Sequence, residues 1–246
     1  MVSSDLTELA GRLVAGLTVL TAEQVLGSSG HLSARIPDGD AFLINPRFPA
    51  SLAEPEDLCV VSSDGRQLSG RYPAPSETPI HSAVYRARPD AESVLHSHPR
   101  NSILVGLLER GFVPVHREAQ RFADGVPAFH DSTHIVADDQ AKAMADVLQN
   151  RRAAFLVGHG IVVAEESIEH TCVAAIALER SCEDQLRLMA VAEPKPLAEV
   201  FDGRVVVKPF KTSGVPYRNW PFQLYRHGLA GMAEIKRRIE PPTTPP

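Results

Sequence analysis

The chain has 246 residues, of which 43% are hydrophobic and 22% charged, values typical of a globular protein with a large core. A net charge of −5 excludes a generally basic surface for nucleic acid, and no apolar run is long enough to cross a membrane. Three cysteines without C-x-x-C spacing and the lack of a charged-then-apolar N-terminal signal predict buried thiols in a cytoplasmic protein.

The first part of the chain predicts a helix followed by short strands. Leucines at helical spacing indicate an amphipathic helix over about 5–26. Strands are expected at 32–36, 41–45 and 58–62, because Asp-Gly turn signals separate these apolar segments.

Two polar loops lie in this part of the chain. The segment SSGHLS at 28–33 is typical of a turn between a helix and a strand. In the second loop, the Arg47 guanidinium is a planar fork that matches a carboxylate. The alternative for Arg47 is an exposed loop residue.

A carboxylate, a helix and a His-x-His strand follow within residues 75–99. Glu77 precedes a helical apolar pattern, where the helix dipole alone already favours a carboxylate. His96 and His98 end an apolar strand and are two residues apart, so both imidazoles project from the same face. Such a pair suits Zn²⁺ and related ions, while the alternative is two strand-edge histidines with ordinary hydrogen bonds.

Other histidines have less specific surroundings. His81 lies four residues after Glu77, so it is expected to share a helix face with it, to orient it or support the metal site, or to be an ordinary neighbour. The segment 120–134 is polar and loop-like. Its His130 and His134, like the preceding His116, lack ligand spacing and are expected in turns or on the surface.

The segment 155–163 predicts a very apolar strand interrupted by a Gly-His-Gly sequence around His159. Glycine inside a strand weakens it and often marks the close approach of a ligand. His159 is therefore a third candidate metal ligand, with a hydrogen-bonded core histidine as the alternative. Helices are predicted around this strand at 101–108, 138–148 and 165–191.

In these motifs the chain resembles the class II aldolase/adducin family, roughly from Leu6 to Met189. The matching segments are Ser29-Gly30-His31-Leu32-Ser33-x-Arg35, Ser76-Glu77 with His81, His96-Ser97-His98-Pro99, and Gly158-His159-Gly160. The resemblance implies an α/β fold, namely a three-layer α/β/α sandwich with a central, mostly antiparallel sheet. It also implies a homotetramer with the active site at a subunit interface.

The resemblance further implies one divalent metal ion per subunit, either Zn, Mn, Fe or Co. Its ligands would be His96, His98 and His159, with Glu77 as a fourth ligand and catalytic acid/base group. Carried over by position, the expected substrate-binding residues are Ser29, Gly30, His31, Asn45, Arg47 and Ser76. In the resembling aldolases the loop that corresponds to 28–33 holds an anion with backbone N–H groups and hydroxyls, and here a simple turn is an equal alternative. The sugar-phosphate members have other residues at His31 and near Asn45–Arg47, which makes phosphate doubtful here and favours a carboxylate.

Three functions are compatible with these residues. The favoured hypothesis is a metal-dependent lyase that decarboxylates a hydroxylated aromatic dicarboxylate, such as 3,4-dihydroxyphthalate, in aromatic catabolism. The alternative is an aldolase that cleaves a small sugar phosphate or hydroxy acid. A third is a non-catalytic, adducin-like interaction module, which predicts missing metal ligands. The expected partner is a small carboxylate substrate, with no nucleic acid and no membrane.

Residues 1–192 are expected to form the metal-binding domain. Residues 193–240 are expected to pack on it or on a neighbouring subunit, and the proline-rich tail 241–246 to be disordered. Within the extension, 200–208 has strand character. The aromatic segment 217–225 is expected to pack in the core or an interface, or else to cover the pocket, where it would suit an aromatic substrate.

Overall fold

The computed structural model of the chain describes residues 4–200, 219–231 and 234. Within these residues an eight-stranded sheet has the order β4-β3-β2-β1-β5-β8-β7-β6. All neighbouring strands are antiparallel except β6 and β7, which are parallel, so the sheet is mostly antiparallel as predicted. The strands are β1 His31–Arg35, β2 Ala41–Ile44, β3 Cys59–Ser62, β4 Gln67–Ser69, β5 Ser93–Ser97, β6 Ala128–Phe129, β7 Ala153–Leu156 and β8 Gly160–Glu165.

Helices cover both faces of this sheet. The helices are α1 Ser4–Ala22, α2 Thr78–Ala87, α3 Arg100–Gly106, α4 Asp138–Leu148, α5 Ile168–Met189, α6 Leu197–Val200 and α7 Trp220–Arg226. Helices α2 and α4 pack together on one face, and α1, α3 and α5 cover the other. The result is the predicted three-layer α/β/α sandwich.

Each central strand contributes to two hydrophobic cores. On β5, Leu95 belongs to the core beneath α1 and α5, whereas Val94 belongs to the core beneath α2 and α4. On β8, Val163 and Val162 divide in the same way. This alternation follows from the two-residue period of a strand, and it explains why the consecutive residues at the middle of both strands are apolar.

One strand prediction is wrong. Residues 155–163 do not form a single strand but the end of β7, a tight turn, and the start of β8, which pairs antiparallel with β7. Gly158 lies in the turn with a φ of +70°, which side-chain-bearing residues rarely adopt. The apolar run looked continuous because both strands are buried. His159 therefore lies at a turn between two strands, not in the middle of one.

The three cysteines are free and buried, as predicted, at Cys59, Cys172 and Cys182. Among the described residues, no helix combines the length and apolar character that crossing a membrane requires. The strand predicted at 200–208 lies outside the described residues beyond Val200, as does the tail 241–246. In α7, Trp220 and Leu224 are buried in the core on the α1 side, which is the packing role expected for the aromatic segment.

Candidate metal centre

Three elements bring Glu77, His96, His98 and His159 together at one end of the central strands. Strand β5 carries His96, and His98 follows directly after it. Strand β8 pairs with β5, so the turn preceding β8 places His159 beside them. Glu77 is the N-cap residue of α2, but its side chain makes no capping hydrogen bond. One potential ligand atom from each of the four residues lies within 4.8 Å of the others.

His96 is oriented by the neighbouring strand. Its side chain is fully buried, and Nδ1 lies 3.0 Å from the carbonyl oxygen of Ile161. Because a carbonyl only accepts hydrogen bonds, Nδ1 carries a hydrogen and Nε2 is the free position. Nε2 of His96 lies 3.4 Å from Oε2 of Glu77 and 3.0 Å from Nε2 of His98. A cation between these atoms, either a proton or a metal ion, stabilises this arrangement.

The other two imidazoles complete the cluster. Nδ1 of His98 lies 3.1 Å from Oγ of Ser29, which leaves its Nε2 directed at the centre. The side chain of His159 is only 7% exposed, yet neither ring nitrogen has a hydrogen-bond partner among the described residues. Buried polar groups are normally hydrogen-bonded, so His159 lacks a partner that a metal ion would provide.

The protonation states suit a metal. Burial acts to raise the pKa of Glu77, but His96, the Ile135 N–H group and His159 outweigh it and lower that pKa to about 2. Burial lowers the pKa of His98 to about 4 and also lowers that of His159. A carboxylate and neutral imidazoles are the ligands that Zn²⁺ and related divalent ions bind. The four residues therefore fit such an ion.

Gly160 allows β8 to approach the end of β5. A Cβ atom at this position would clash with the Ser97 carbonyl oxygen and lie 3.0 Å from the ring of His98. Glycine is thus required here for close packing, and that packing keeps His159 and His98 adjacent.

A cavity of about 270 Å³ opens beside the cluster and is lined by Glu77 and His98. This volume lies at the small end of the range for ligand pockets. Five of the six predicted substrate-binding residues also line it, namely Ser29, Gly30, His31, Arg47 and Ser76.

Asn45 is the exception among the predicted substrate-binding residues. Its Oδ1 accepts a hydrogen bond from Leu32 N at 2.9 Å, and its Nδ2 donates to the carbonyl oxygens of Gly30 and Pro46. The amide is buried and does not line the cavity. Asn45 therefore holds the backbone at the start of β1, with its amide outside the lining of this cavity.

His31 differs from the sequence expectation, whereas His81 has a supporting position, which was one of its alternatives. His31 is the first residue of β1, not a loop residue, and pairs with His96 of the neighbouring strand β5. Its Nδ1 lies 2.6 Å from Nε2 of His81, whose Nδ1 lies 2.6 Å from Oγ of Ser33. Both ring nitrogens of His81 are thus engaged, and His81 supports the site through His31, not by orienting Glu77.

His134 is a cavity residue that sequence reasoning missed. It lines the cavity, and its ring stacks on that of His159 with centroids 5.9 Å apart. Asp131 orders this loop by accepting hydrogen bonds from Thr133 and Gln140, and Ile135 N then donates to Glu77 at 3.0 Å. The spacing of histidines in the sequence does not indicate His134, because its partner His159 is distant in sequence.

A larger cavity, of about 670 Å³, lies elsewhere, between α5 and α7. His116, Asp184 and Phe222 help to line it, and none of the four candidate ligands does. In the part of α7 that the structure describes, the aromatic segment therefore faces this second cavity and the core instead of covering the metal centre.

Residues 13–186 match the family model described as Class II Aldolase and Adducin N-terminal domain. The chain belongs to the class II aldolase and adducin family. It is 28% identical over 191 residues to L-fuculose phosphate aldolase of Escherichia coli K12, covering 77% of this chain and 87% of that relative. It is 29% identical over 167 residues to 3,4-dihydroxyphthalate decarboxylase of Arthrobacter keyseri, covering 62% of this chain and 67% of the relative.

Solved structures of class II aldolase proteins have the same fold. An aldolase II superfamily protein from Pseudomonas syringae matches with a TM-score of 0.79 over 94% of this chain and 96% of that protein, at 22% identity. At this identity the likeness concerns the fold, which is the class II aldolase fold expected from the motifs.

Proposed function

We propose that this protein is a divalent-metal-dependent lyase that decarboxylates a hydroxylated aromatic dicarboxylate resembling 3,4-dihydroxyphthalate. The observation that carries the proposal is that the cavity lined by Glu77 and His98 of the four-residue cluster is also lined by Arg47 and Phe48. A guanidinium fits a carboxylate, and the Phe48 ring, packed edge-on against Tyr72 with centroids 5.1 Å apart, fits a flat substrate. The similarity to a dihydroxyphthalate decarboxylase supports the same substrate class.

The proposed metal ligands are Glu77, His96, His98 and His159, and the metal is Zn, Mn, Fe or Co. When bound, it supplies a Lewis acid that stabilises negative charge on substrate oxygens. Arg47 binds the carboxylate that remains on the ring. The hydroxyl groups of Ser29 and Ser76 line the same cavity and are available to other substrate oxygens.

Glu77 moves the proton in the proposed reaction. Its carboxylate, ionised at neutral pH, accepts the proton of the ring hydroxyl ortho to the leaving carboxylate. The Glu77 carboxyl group then delivers this proton to the ring carbon that bears the leaving carboxylate. The bond from this carbon to the carboxylate breaks, its electron pair restores the aromatic ring, and CO2 leaves. Water protonates the phenolate oxygen upon product release.

The test is direct. Metal-loaded protein is incubated with 3,4-dihydroxyphthalate, and CO2 and 3,4-dihydroxybenzoate are measured. The proposal predicts equal amounts of both products, and turnover in a Glu77→Gln variant that is slower by ~10²–10⁴-fold. Absence of turnover, together with cleavage of an aldol substrate, would overturn it.

An aldolase is the second candidate, and two observations favour it. Ser28, Ser29 and Ser76 line the cavity, and serine hydroxyl groups suit a phosphate. The L-fuculose phosphate aldolase relative also aligns over a larger share of the chain than the decarboxylase. Cleavage of L-fuculose 1-phosphate into two carbonyl products, assayed in parallel, distinguishes the two reactions.

A non-catalytic, adducin-like module is opposed by the complete ligand set. Such a module needs no stoichiometric metal, so elemental analysis of the purified protein separates it from both lyases. For the lyase we propose a homotetramer with the cavity at a subunit interface, which sedimentation analysis tests.

A further inference from the structure

Four buried polar side chains form a hydrogen-bonded chain that ends at the cavity. Tyr85 OH lies 2.7 Å from Ser33 Oγ, which lies 2.6 Å from His81 Nδ1, and His81 Nε2 lies 2.6 Å from His31 Nδ1. None of these residues is more than 5% exposed. We call this set the Tyr85–His31 relay.

The direction of the hydrogens in the relay follows from its far end. The Tyr85 hydroxyl has Ser33 Oγ as its side-chain partner, so the relay is satisfied when Tyr85 donates and Ser33 accepts. The reverse direction would leave the buried Tyr85 hydroxyl hydrogen without an acceptor among the described residues, which is strongly disfavoured. The hydrogen of Ser33 then goes to His81 Nδ1 at 2.6 Å in preference to the Val94 carbonyl oxygen at 3.4 Å.

The direction of the hydrogens continues from His81 to the cavity. A His81 that accepts at Nδ1 carries its hydrogen on Nε2 and donates it to His31 Nδ1. A His31 that accepts at Nδ1 carries its own hydrogen on Nε2. His31 lines the cavity, and its Nε2 has no hydrogen-bond partner among the described residues. It therefore offers an N–H donor to whatever occupies the cavity.

We propose that the Tyr85–His31 relay holds His31 as an Nε2–H donor that binds an anionic oxygen of the substrate. Ser33 and His81 are then positioning residues, because they act on the substrate through the tautomer of His31. The inference deepens the proposed function and rests on it for the identity of the substrate. The chemistry recognised is a carboxylate or a phosphate oxygen, and the experiment separates these two.

The first measurement is the tautomer itself. The ¹⁵N chemical shifts of histidine ring nitrogens, recorded on ¹⁵N-histidine-labelled, zinc-loaded wild-type protein and assigned with His31→Gln, distinguish an Nε2–H from an Nδ1–H ring. The proposal predicts Nε2–H for His31. An Nδ1–H ring at His31 would overturn it, and this readout requires no variant of the relay to fold.

The second measurement is ligand binding in a matched pair of variants. Ser33→Ala removes the donor to His81, whereas Ser93→Ala removes an equally buried hydroxyl that donates to the Ser33 carbonyl oxygen at 2.8 Å, outside the relay. Calorimetric titration of the zinc-loaded proteins uses phthalate and inorganic phosphate as probes. We expect Ser33→Ala to lose affinity about tenfold, the loss expected for one hydrogen bond to a charged group.

We expect Ser93→Ala to bind the probes as wild type does. A selective loss for phthalate assigns the anionic oxygen to a carboxylate, and one for phosphate assigns it to a phosphate; both support the relay. Equal affinities in the two variants, or no binding of either probe to the wild type, would overturn it. Neither measurement requires turnover, so an absence of decarboxylation would refute the proposed function and leave this test intact.

Discussion

The carbonyl oxygen of Ile161 lies 3.0 Å from Nδ1 of His96, and this contact directs Nε2 of His96 at the Glu77 carboxylate. The two residues belong to paired strands, since His96 lies in β5 and Ile161 in β8. The sheet itself therefore orients the imidazole. A ligand fixed in this way loses little conformational freedom when it binds a metal ion.

The first prediction concerns His96. His96→Ala removes a ligand from the centre and should lower zinc affinity by more than ~100-fold, since losing an outer-shell partner alone costs ~10–100-fold. The fold should survive, because the sheet hydrogen bonds are made by the backbone. Competition with a chromophoric chelator measures the affinity, and circular dichroism monitors the fold. If this variant binds zinc with wild-type affinity, His96 is not a ligand of the metal centre.

Glu77→Gln separates metal binding from proton transfer. The amide oxygen can still face the cluster, so much of the bound metal should remain, but an amide cannot accept and return a proton. We expect kcat to fall by ~10²–10⁴-fold, the usual range for loss of a general acid/base. Metal content and product formation are measured on the same preparation. A variant that retains wild-type turnover contradicts the role of Glu77.

The metal-free protein should lose stability with falling pH. The folded-state pKa of His98 is about 4 against an ordinary value of 6.5, so between these values the unfolded chain takes up the proton more readily. Glu77, with a pKa lowered to about 2 from 4.5, extends the loss below pH 4.5 in the same direction. Urea midpoints should therefore fall from about pH 6.5 downward.

His98→Gln is the control for this pH dependence. It removes the imidazole contribution, so the slope of stability against pH should become shallower between pH 6.5 and about 4. The slope below pH 4.5, to which Glu77 contributes, should persist. Identical profiles for His98→Gln and wild type would show that His98 is not perturbed by burial.

Arg47→Lys tests carboxylate recognition. Lysine keeps the charge but loses the planar fork, so KM for 3,4-dihydroxyphthalate should rise about tenfold with a smaller change in kcat. Steady-state kinetics measure this split. The matched control is Arg66→Lys, an exposed arginine that does not line the cavity. A KM that changes equally in both variants would exclude Arg47 from substrate binding.

Outside the site, Glu179 is expected to stabilise the folded protein. Its carboxylate on α5 accepts hydrogen bonds from the backbone and side chains of both Asn101 and Ser102, at 2.7–2.9 Å, and so ties down the start of α3. Glu179→Ala should lower the free energy of unfolding by ~2–3 kcal/mol, as expected when donors lose a charged acceptor. Glu183→Ala, which breaks an exposed pair with Arg187, should change it by less than ~0.5 kcal/mol. Urea unfolding curves measure both, and equal effects would contradict the anchoring role of Glu179.

Much of the fold follows from local patterns in the sequence. Helix α4 has the predicted bounds, and strands β1, β2 and β3 begin and end within one residue of the predicted positions. The shared face of His96 and His98 follows from the period of a strand alone. The hairpin around His159 does not, because an apolar run buried on both faces has the same composition in one strand or two.

The relay and His134 depend on the packing of distant segments. His81 contacts His31 only because β1 pairs with β5 in the register that places His31 opposite His96. His134 reaches His159 because the loop ordered by Asp131 places His134 in the lining of the cavity. Neither arrangement has a signature in residue spacing, so the sequence left the role of His81 open among three alternatives and predicted a turn or surface position for His134.

The central claim is that one divalent ion binds between the side chains of Glu77, His96, His98 and His159. Anomalous diffraction from zinc-loaded crystals, recorded at the zinc absorption edge, tests it most directly. The account predicts one peak per chain within this cluster, about 2.0–2.1 Å from imidazole nitrogens. A fully loaded crystal whose zinc peak lies elsewhere, with these four side chains free of metal, would contradict it.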